Sequence, residues 1–453
     1  MPKNDETRDD SSRSMDQQRR PRPGLVVILM AEEPACEVLE VGPLGVEVGR
    51  GIPNGLLASD DRVSRRHVRV RRSRGEWQVT DLESRNGTFV DGEPLSREAT
   101  FAGEVLIRIG RSLLWAVEDV APFREFRSRE PTSGGPVIGG RLARAWSEIA
   151  LASRSGTTLY VRGESGSGKE LAARAFHDAR FGKGARNPFV AVNCAAIPQG
   201  LAERLLFGAQ RGAYSGANAD AEGYLQAAHK GTLFLDEIAE LDPLVQAKLL
   251  RVLETREVLP LGATRPRSVE LSVCVASHKS LRDEVARGRF REDLYFRLGR
   301  PEVQLPPLRE RLDELPWLIR CALGEVDAQL APSVAFVETC AERAWPGNVR
   351  ELLHEVRRAA HRALQEDPGG LVEPHHLSGE AGLVIVGTAT PDGASKPARI
   401  PSDEEIERAL QENKGNVRGT ARALGMHRNQ LRRWIDRHGV SAPGVDLEQS
   451  EEG

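Results

Sequence analysis

A glycine-rich stretch, residues 163–170, has the residue types and the spacing of a phosphate-binding loop. It follows the apolar run 158–161 and opens a segment whose apolar residues have helical spacing. Glycines let the backbone fold into a concavity of N–H donors, and the N-terminus of a following helix adds partial positive charge. Lys169 can then reach the terminal phosphates of a nucleotide, although Glu170 stands where Ser or Thr would bind magnesium. The candidate ATP-binding residues of this loop are Gly163, Glu164, Ser165, Gly166, Ser167, Gly168, Lys169 and Glu170.

Two carboxylates end a second apolar run, 232–235, further along the chain. Asp236 at the tip of a buried strand can hold a hydrated magnesium ion, and Glu237 beside it can orient or deprotonate water. A strand that simply ends in solvated acids is the plain alternative. Because both motifs occur in the right order, the sequence predicts an ATP site with Mg²⁺.

Composition limits the class of protein. The 453 residues predict roughly three domains of ~150 residues each. The net charge of −3 gives no indication of nucleic-acid binding, so charge has to be considered by segment. The five cysteines include no Cys-x-x-Cys pair, which is typical of reduced, buried thiols. No apolar run is long enough to span a bilayer, and we expect a soluble, cytoplasmic protein without a signal peptide.

Short alternating apolar runs, broken by Gly, Pro, Asn and Asp, predict an all-β sandwich over 24–118, after a disordered tail, 1–23. Three short signatures lie in its turns: Gly49-Arg50, Ser64-Arg65-Arg66-His67 and Asn86-Gly87-Thr88. In this order and spacing the segment resembles a forkhead-associated (FHA) domain. The resemblance implies binding of a phosphothreonine peptide. The residues whose donors suit a phosphate and a peptide backbone are Arg50, Ser64, Arg65 and Asn86.

Two alternatives accompany this interpretation. We interpret His67 as a buried hydrogen-bonding residue rather than a catalytic one. The sandwich could also serve only as a protein–protein surface.

Residues 119–136 are charged and proline-rich and are interpreted as a linker. The following segment, 137–378, contains the nucleotide motifs and five further blocks at 193–198, 206–208, 290–298, 305–311 and 345–352. Together these resemble the AAA+ domain of bacterial enhancer-binding proteins, the activators of sigma-54 RNA polymerase. The resemblance implies an α/β P-loop ATPase with an α-helical lid.

The same resemblance implies roles for single residues. Asn193 matches the residue that switches the catalytic glutamate, and Arg350 matches the second sensor. Arg291 and Arg297 match arginine fingers that reach a neighbour's nucleotide. An arginine supplied by a neighbour requires an oligomer, so the resemblance implies assembly from a dimer to a hexameric ring.

A loop at 212–217 matches the family's Gly-Ala-Phe-Thr-Gly-Ala, which touches sigma-54. The two substitutions in it retain an aromatic ring and a hydroxyl group. The candidate contact residues are Gly212, Ala213, Tyr214, Ser215, Gly216 and Ala217. His278 and Gln226 replace an Asn and a Glu that are usual in the family. We predict slower or differently timed hydrolysis from them, not its loss.

After a Gly-, Ala- and Pro-rich linker, 379–401, residues 402–441 predict three short helices that resemble the Fis-type helix-turn-helix domain. An acidic tail, 442–453, ends the chain. The residues of the third helix that suit base edges and phosphates are Arg428, Asn429, Gln430, Arg432 and Arg433.

The sequence therefore predicts a sigma-54-dependent activator that binds enhancer DNA, hydrolyses ATP as a ring and receives a Ser/Thr kinase signal through its FHA module. The signal could be a phosphothreonine on a partner or on the chain itself, and Thr7 with Asp10 three positions later is one candidate. Two rival functions stay open. One is a DNA-bound ATPase that acts without sigma-54, and the other is a phosphopeptide-binding scaffold with a weakened ATPase.

Overall fold

The computed structural model describes residues 21–52, 55–126, 135–198, 200–213, 219–367, 370–384 and 402–412, together with residues 420, 424 and 431. An N-terminal β-sandwich is followed by an α/β domain with a parallel sheet and a helical lid. The predicted order of an all-β domain and an α/β domain is confirmed.

Antiparallel strands build the sandwich. The strands are β1 (Gly24–Met30), β2 (Glu33–Glu40), β3 (Val46–Val48), β4 (Val68–Ser73), β5 (Glu76–Asp81), β6 (Thr88–Val90), β7 (Glu93–Pro94), β8 (Glu98–Ala102), β9 (Val105–Ile109) and β10 (Ser112–Val117). They form a six-stranded sheet in the order β2-β1-β10-β9-β6-β7 and a four-stranded sheet in the order β3-β4-β5-β8. Leu25, Leu114 and Trp77 belong to the core between the two sheets.

A short helix, α1 (Ala121–Glu125), lies within the segment that the sequence indicated as a linker. Its Phe123 is fully buried and meets Trp115 of β10 edge to face, with ring centroids 5.4 Å apart. Local charge and proline content did not indicate this burial, because the cluster around Phe123 also includes residues from a distant part of the chain, such as Leu312 and Leu315.

The α/β domain is a five-stranded parallel sheet flanked by helices. Its elements are α2 (Gly140–Ser155), β11 (Thr158–Arg162), α3 (Lys169–Phe181), β12 (Phe189–Asn193), α4 (Ala202–Phe207), α5 (Tyr224–Ala227), β13 (Thr232–Asp236), α6 (Pro243–Thr255), β14 (Glu257–Val258), β15 (Arg267–Ser268), β16 (Ser272–Ser277), α7 (Leu281–Ala286), α8 (Glu292–Leu298) and β17 (Glu302–Gln304). The sheet order is β12-β13-β16-β11-β17. Since parallel strands end at one edge, the motifs that follow β11, β13 and β16 lie together.

The lid follows the sheet and is mostly helical. It comprises α9 (Leu315–Gly324), β18 (Ala331–Pro332), α10 (Val334–Ala341), α11 (Asn348–Glu366) and β19 (Leu371–Val372). Its apolar residues belong to a cluster that also contains one face of the six-stranded sheet of the sandwich. The sandwich and the lid therefore pack against each other.

One further helix, α12 (Asp403–Glu412), begins the C-terminal region. The predicted capping box is present, since Ser402 N donates to Glu405 Oε2 at 2.9 Å and Glu405 N donates to Ser402 Oγ at 3.3 Å. The five predicted DNA-contacting residues, Arg428 to Arg433, lie outside the described residues. None of the helices in the described ranges has both the length and the apolar character needed to cross a bilayer.

Candidate nucleotide and peptide sites

The glycine loop connects β11 to α3, the context that the sequence predicted. Gly166 and Gly168 have φ of +73° and +105°, a region that favours glycine. A Cβ at Gly166 would also lie 2.1 Å from the carbonyl oxygen of Gly347 in the lid. Glycine at 166 is therefore required both by the backbone conformation and by the close approach of the lid.

Lys169 lies between this loop and the acidic pair. Its side chain is buried, and Nζ donates to Glu237 Oε1 at 3.0 Å and to the carbonyl oxygen of Gly163 at 3.2 Å. The structure thus brings together the lysine and the glutamate that the sequence proposed for phosphate binding and water activation, although 68 residues separate them.

The two carboxylates at the end of β13 have different electrostatic environments. Burial raises the pKa of Asp236, against the charge of Lys169. Burial also acts to raise the pKa of Glu237, but hydrogen bonds from Lys169 and His278 outweigh it and lower that pKa. Glu237 has φ of +51°, an unfavourable conformation for a non-glycine residue that is often found at functional sites. A half-buried carboxylate at a strand end fits a magnesium ion, and an ionised neighbour fits a general base.

His278 binds the same glutamate from the end of β16. Its Nδ1 lies 2.7 Å from Glu237 Oε2, and its backbone N–H donates to that oxygen at 3.3 Å. The residue that departs from the family pattern is therefore in direct contact with the candidate base.

The two residues matched to switch and sensor roles flank the site. Asn193 is aligned with Asp236 across β12 and β13, and its Oδ1 accepts from Ala195 N at 2.9 Å. Arg350 lies beside the loop, because a Cβ at Gly166 would be 3.2 Å from Arg350 Cβ. The charge of Arg350 acts to lower the pKa of Asp236.

The two candidate fingers are exposed, and the hydrogen bonds of their guanidinium groups are with residues of the same domain. Arg291 forms a bidentate pair with Asp293, at 3.0 and 2.7 Å. Arg297 donates to the carbonyl oxygen of Leu253 at 3.1 Å. Within this part of the chain neither arginine contacts its own Lys169, which is the arrangement expected of a group that acts on another subunit.

A set of hydrogen bonds that joins the lid side of the domain to the glycine loop was not predicted from the sequence. Arg309 donates to both carboxylate oxygens of Glu164, at 3.0 and 2.7 Å. The buried Asn348 donates from Nδ2 to Glu164 Oε2 and to the Ser165 carbonyl, both at 3.0 Å, and its Oδ1 accepts from Leu308 N at 2.8 Å. The blocks 305–311 and 345–352, which carry Arg309 and Asn348, were a signal that could have indicated it.

The base of the predicted sigma-54 loop is ordered by backbone pairing. Ala209 and Ala221 exchange two N–H···O bonds, at 2.9 and 2.8 Å. Ala213 packs on Gly262, where a Cβ would lie 2.8 Å from Ala213 Cβ. The candidate contact residues Gly212 and Ala213 belong to this base, whereas Tyr214, Ser215, Gly216 and Ala217 lie outside the described residues.

Gln226, the other departure from the family pattern, lies at the same base. Its Oε1 accepts from Gly223 N at 2.9 Å. A Cβ on Gly208 would meet the same oxygen at 3.0 Å. Gln226 therefore has a local structural role where the loop leaves the domain.

The candidate phosphopeptide residues lie on neighbouring loops of the sandwich. A Cβ at Gly49 would lie 2.3 Å from the Arg65 carbonyl oxygen, so only glycine permits this approach, and Arg50 N donates to the Ser64 carbonyl at 2.9 Å. Asn86 Nδ2 donates to the carbonyl of Arg62 at 2.7 Å. Within the described residues the guanidinium groups of Arg50 and Arg65 form no ion pair.

His67 joins these loops from beneath, as the sequence predicted. It is fully buried, and its Nδ1 accepts from Ser64 N at 3.1 Å. Its Nε2 lies 3.1 Å from the Gly87 carbonyl, which can only accept, so this nitrogen carries the proton. Burial lowers the pKa of His67, in agreement with a neutral ring.

Comparison with known proteins identifies each of the three parts. Residues 46–110 match the FHA domain, residues 139–304 match the sigma-54 interaction domain, and residues 403–438 match the bacterial regulatory protein, Fis family. NtrX from Brucella abortus, solved in complex with ATP, is 28% identical, with a TM-score of 0.49 over 69% of this chain and 71% of that one.

Two curated relatives extend over most of the chain. The transcriptional regulatory protein GlrR of Escherichia coli (strain K12) is 36% identical over 338 residues, which is 72% of each chain. The DNA-binding transcriptional regulator NtrC of Bradyrhizobium sp. (strain RP501 Parasponia) is 37% identical over 366 residues, 73% of this chain and 75% of that one. The chain thus belongs to the family of sigma-54-dependent transcriptional regulators, as an AAA+ ATPase with an FHA domain before the ATPase domain and a Fis-type helix-turn-helix after it.

Proposed function

We propose that this regulator binds enhancer DNA, hydrolyses ATP as a ring and uses the hydrolysis to remodel sigma-54 RNA polymerase, under the control of a phosphothreonine signal. The observation that carries the proposal is the Lys169–Glu237–His278 contact at the strand ends, within a domain that also anchors the loop around Ala213. One domain thus contains both the hydrolytic site and the loop that would transmit its state.

Each residue of the site has a defined task in hydrolysis. Lys169 would bind the terminal phosphates, Asp236 would hold a magnesium ion, and Glu237 would take the proton from the attacking water. A magnesium ion held there would neutralise charge on the phosphate oxygens. The lowered pKa of Glu237 keeps it ionised and able to act as a base. His278 positions the carboxylate of Glu237.

Arg291 and Arg297 are proposed to complete the site of a neighbouring subunit, with Asn193 and Arg350 responding to the bound nucleotide. The exposure of both fingers and the absence of contacts with their own Lys169, within the described residues, support action in trans. A positive charge at the γ-phosphate stabilises the transition state. A ring, with a hexamer as its full form, follows from this requirement.

The FHA domain is proposed to bind a phosphothreonine peptide through Arg50, Ser64, Arg65 and Asn86. Two guanidinium groups without ion pairs among the described residues, next to a hydroxyl group, support recognition of a phosphate. The third helix that the sequence predicts in the C-terminal region is proposed to enter the DNA major groove and to contact it through Arg428, Asn429, Gln430, Arg432 and Arg433.

Open-complex formation with purified sigma-54 RNA polymerase on an enhancer template tests the proposal. We expect wild-type protein with ATP to open the promoter, and Tyr214→Ala to hydrolyse ATP without opening it. Glu237→Gln should bind ATP and do neither. Wild-type protein that hydrolyses ATP at full rate but never opens the promoter would contradict sigma-54 activation and favour an ATPase that regulates transcription in another way.

A further inference from the structure

The six-stranded sheet of the FHA domain lies with its outer face on the lid of the ATPase domain. Val26 of β1 is paired in register with Trp115 of β10, and both belong to one buried cluster with Ile319 of α9 and Phe336 of α10. All six residues of β10 are buried, which requires cover on both faces of the sheet. Because exposed apolar patches of this kind are rare on soluble proteins, the sandwich and the lid form one packed unit.

Two ion pairs link the sandwich to the lid, and one of them is largely buried. Arg108 Nε lies 2.7 Å from Glu338 Oε2 of α10, and their side chains are only 19% and 8% exposed. Arg320 of α9 pairs with Glu33 at the start of β2. A buried pair is costly when one partner is removed, so Arg108 and Glu338 specify this one arrangement.

A buried carboxylate connects the peptide loops with the turns that touch the lid. Asp60 accepts from Arg62 N at 3.1 Å, and the carbonyl of Arg62 accepts from Asn86. On its other side Asp60 accepts from Arg111 N and Ser112 Oγ, both at 2.7 Å.

The turn between β1 and β2 continues this path to the lid. Its Ala31 N donates to Ser112 Oγ at 3.1 Å, and Glu32 N donates to the Arg111 carbonyl at 3.0 Å. Glu32 Oε1 then accepts from Val334 N at 3.4 Å, at the first residue of α10. The path therefore runs from the peptide loops to the start of a lid helix.

The lid extends this connection to the nucleotide site. Helix α10 leads to Trp345, which is buried in the same cluster, and then to Asn348. Asn348 donates to the carbonyl of Ser165 in the glycine loop. A change at the start of α10 can therefore reach the nucleotide without crossing solvent.

We propose that the FHA domain stays packed on the lid, and that this packing couples the peptide site to the nucleotide site. A phosphothreonine peptide bound near Ser64 and Asn86 then changes the affinity for the nucleotide through Asp60 and α10. The identity of the ligand rests on the proposed function. The docking of the two domains does not.

The first experiment tests the docking in the full-length protein without peptide. Arg108→Glu should speed hydrogen exchange in α10 and change the Kd of a fluorescent ATP analogue, and the charge swap with Glu338→Arg should restore both. Arg71→Glu, on the exposed face of the other sheet, is the matched control and should do neither. Unchanged exchange in α10 in Arg108→Glu would overturn the proposal.

The second experiment measures the peptide Kd with and without a non-hydrolysable ATP analogue. Binding energies are reciprocal, so wild type should show a change in Kd of about fivefold or more, and Asp60→Asn should reduce that factor to near one. Glu76→Gln, an exposed carboxylate of β5 that has no contact with this path, is the control and should keep the wild-type factor. Ser112→Ala replaces Asp60→Asn if that variant fails to fold.

The outcomes separate the proposal from the function on which it rests. The ATP analogue could change the peptide Kd by the same factor in wild type, Asp60→Asn and Arg108→Glu. That result would overturn the coupling and leave phosphothreonine recognition intact. A chain that binds no phosphothreonine peptide would contradict the proposed ligand and the coupling with it, and the Arg108→Glu result would still decide the docking.

Discussion

The candidate general base, Glu237, is held by two side chains that come from different strand ends. Lys169 and His278 each take one oxygen of Glu237, and the backbone of Glu237 is in a left-handed conformation. A nucleotide that draws Lys169 toward its phosphates leaves His278 as the remaining side-chain partner. The rate of hydrolysis should therefore depend on residue 278.

We predict that His278→Ala lowers kcat by about tenfold to a hundredfold with little change in nucleotide Kd, because the general base loses its orientation. His278→Asn, which restores the usual family residue, should hydrolyse ATP at the wild-type rate or faster. Steady-state ATPase and nucleotide binding measure the two effects. His354→Ala, an exposed position on α11, is the control. Equal kcat in wild type and His278→Ala would contradict this role.

His67 makes the stability of the peptide loops depend on pH. Burial places the pKa of His67 below the ordinary value of 6.5, so the unfolded chain binds the proton more readily. Its contribution to stability is present above pH 6.5 and is lost as the pH falls below that value toward the folded pKa. We predict a decrease in thermal stability in acid that is reduced in His67→Gln, measured by thermal unfolding of both proteins. Parallel curves for the two would contradict it.

At the scale of elements, the sequence predicted those elements whose patterns lie within one short segment of the chain. The strand, loop and helix around Lys169 were predictable because glycine spacing and apolar runs are contained within about twenty residues. The hydrogen bonds of Arg309 and Asn348 to Glu164 were not predictable, because both residues lie more than a hundred positions away from it. Glu164 was predicted only as an ATP-binding residue of the loop, whereas its carboxylate binds the lid.

The junction between α2 and the lid should titrate near neutral pH. Glu314 Oε1 accepts from Gly139 N at 2.9 Å, and burial raises the pKa of Glu314 to about 7 against the charge of Arg311. The stability that protonated Glu314 contributes is complete below its ordinary value of 4.5 and is lost as the pH rises through about 7.

We predict that Glu314→Gln removes about 2 kcal/mol of the pH-dependent stability change between about pH 5 and pH 8. The amide keeps the acceptor for Gly139 N and cannot ionise. Thermal unfolding of wild type and variant across that interval measures the effect. Glu310→Gln, an exposed neighbour, is the control. An identical pH dependence in Glu314→Gln and wild type would show that Glu314 ionises normally.

At the scale of the whole molecule, composition and motif order predicted the three parts of the chain. Their packing was not predictable, because the apolar runs of β1 and β10 indicate burial on both faces of the sheet but do not indicate which segment covers the outer face. The lid residues that cover it come roughly two hundred residues after β10 and nearly three hundred after β1. Only the three-dimensional arrangement connects a peptide-binding domain to a nucleotide site.

Action in trans predicts complementation between two inactive variants. Glu237→Gln lacks the base, and Arg291→Ala lacks the finger. In a mixed ring, one interface in four joins an intact base to an intact finger, so an equimolar mixture should recover about a quarter of the wild-type rate. Each variant alone is the control. A mixture no more active than its components would indicate that each subunit hydrolyses ATP with its own residues.

The measurement that tests the central claim is ATPase activity against protein concentration, with and without a phosphothreonine peptide. We expect the rate per subunit to rise cooperatively with concentration, and the midpoint of that rise to shift when peptide is added. A rate per subunit that is constant at every concentration would contradict a ring with fingers in trans. A rise that the peptide does not change would contradict control of the ATPase by the FHA domain.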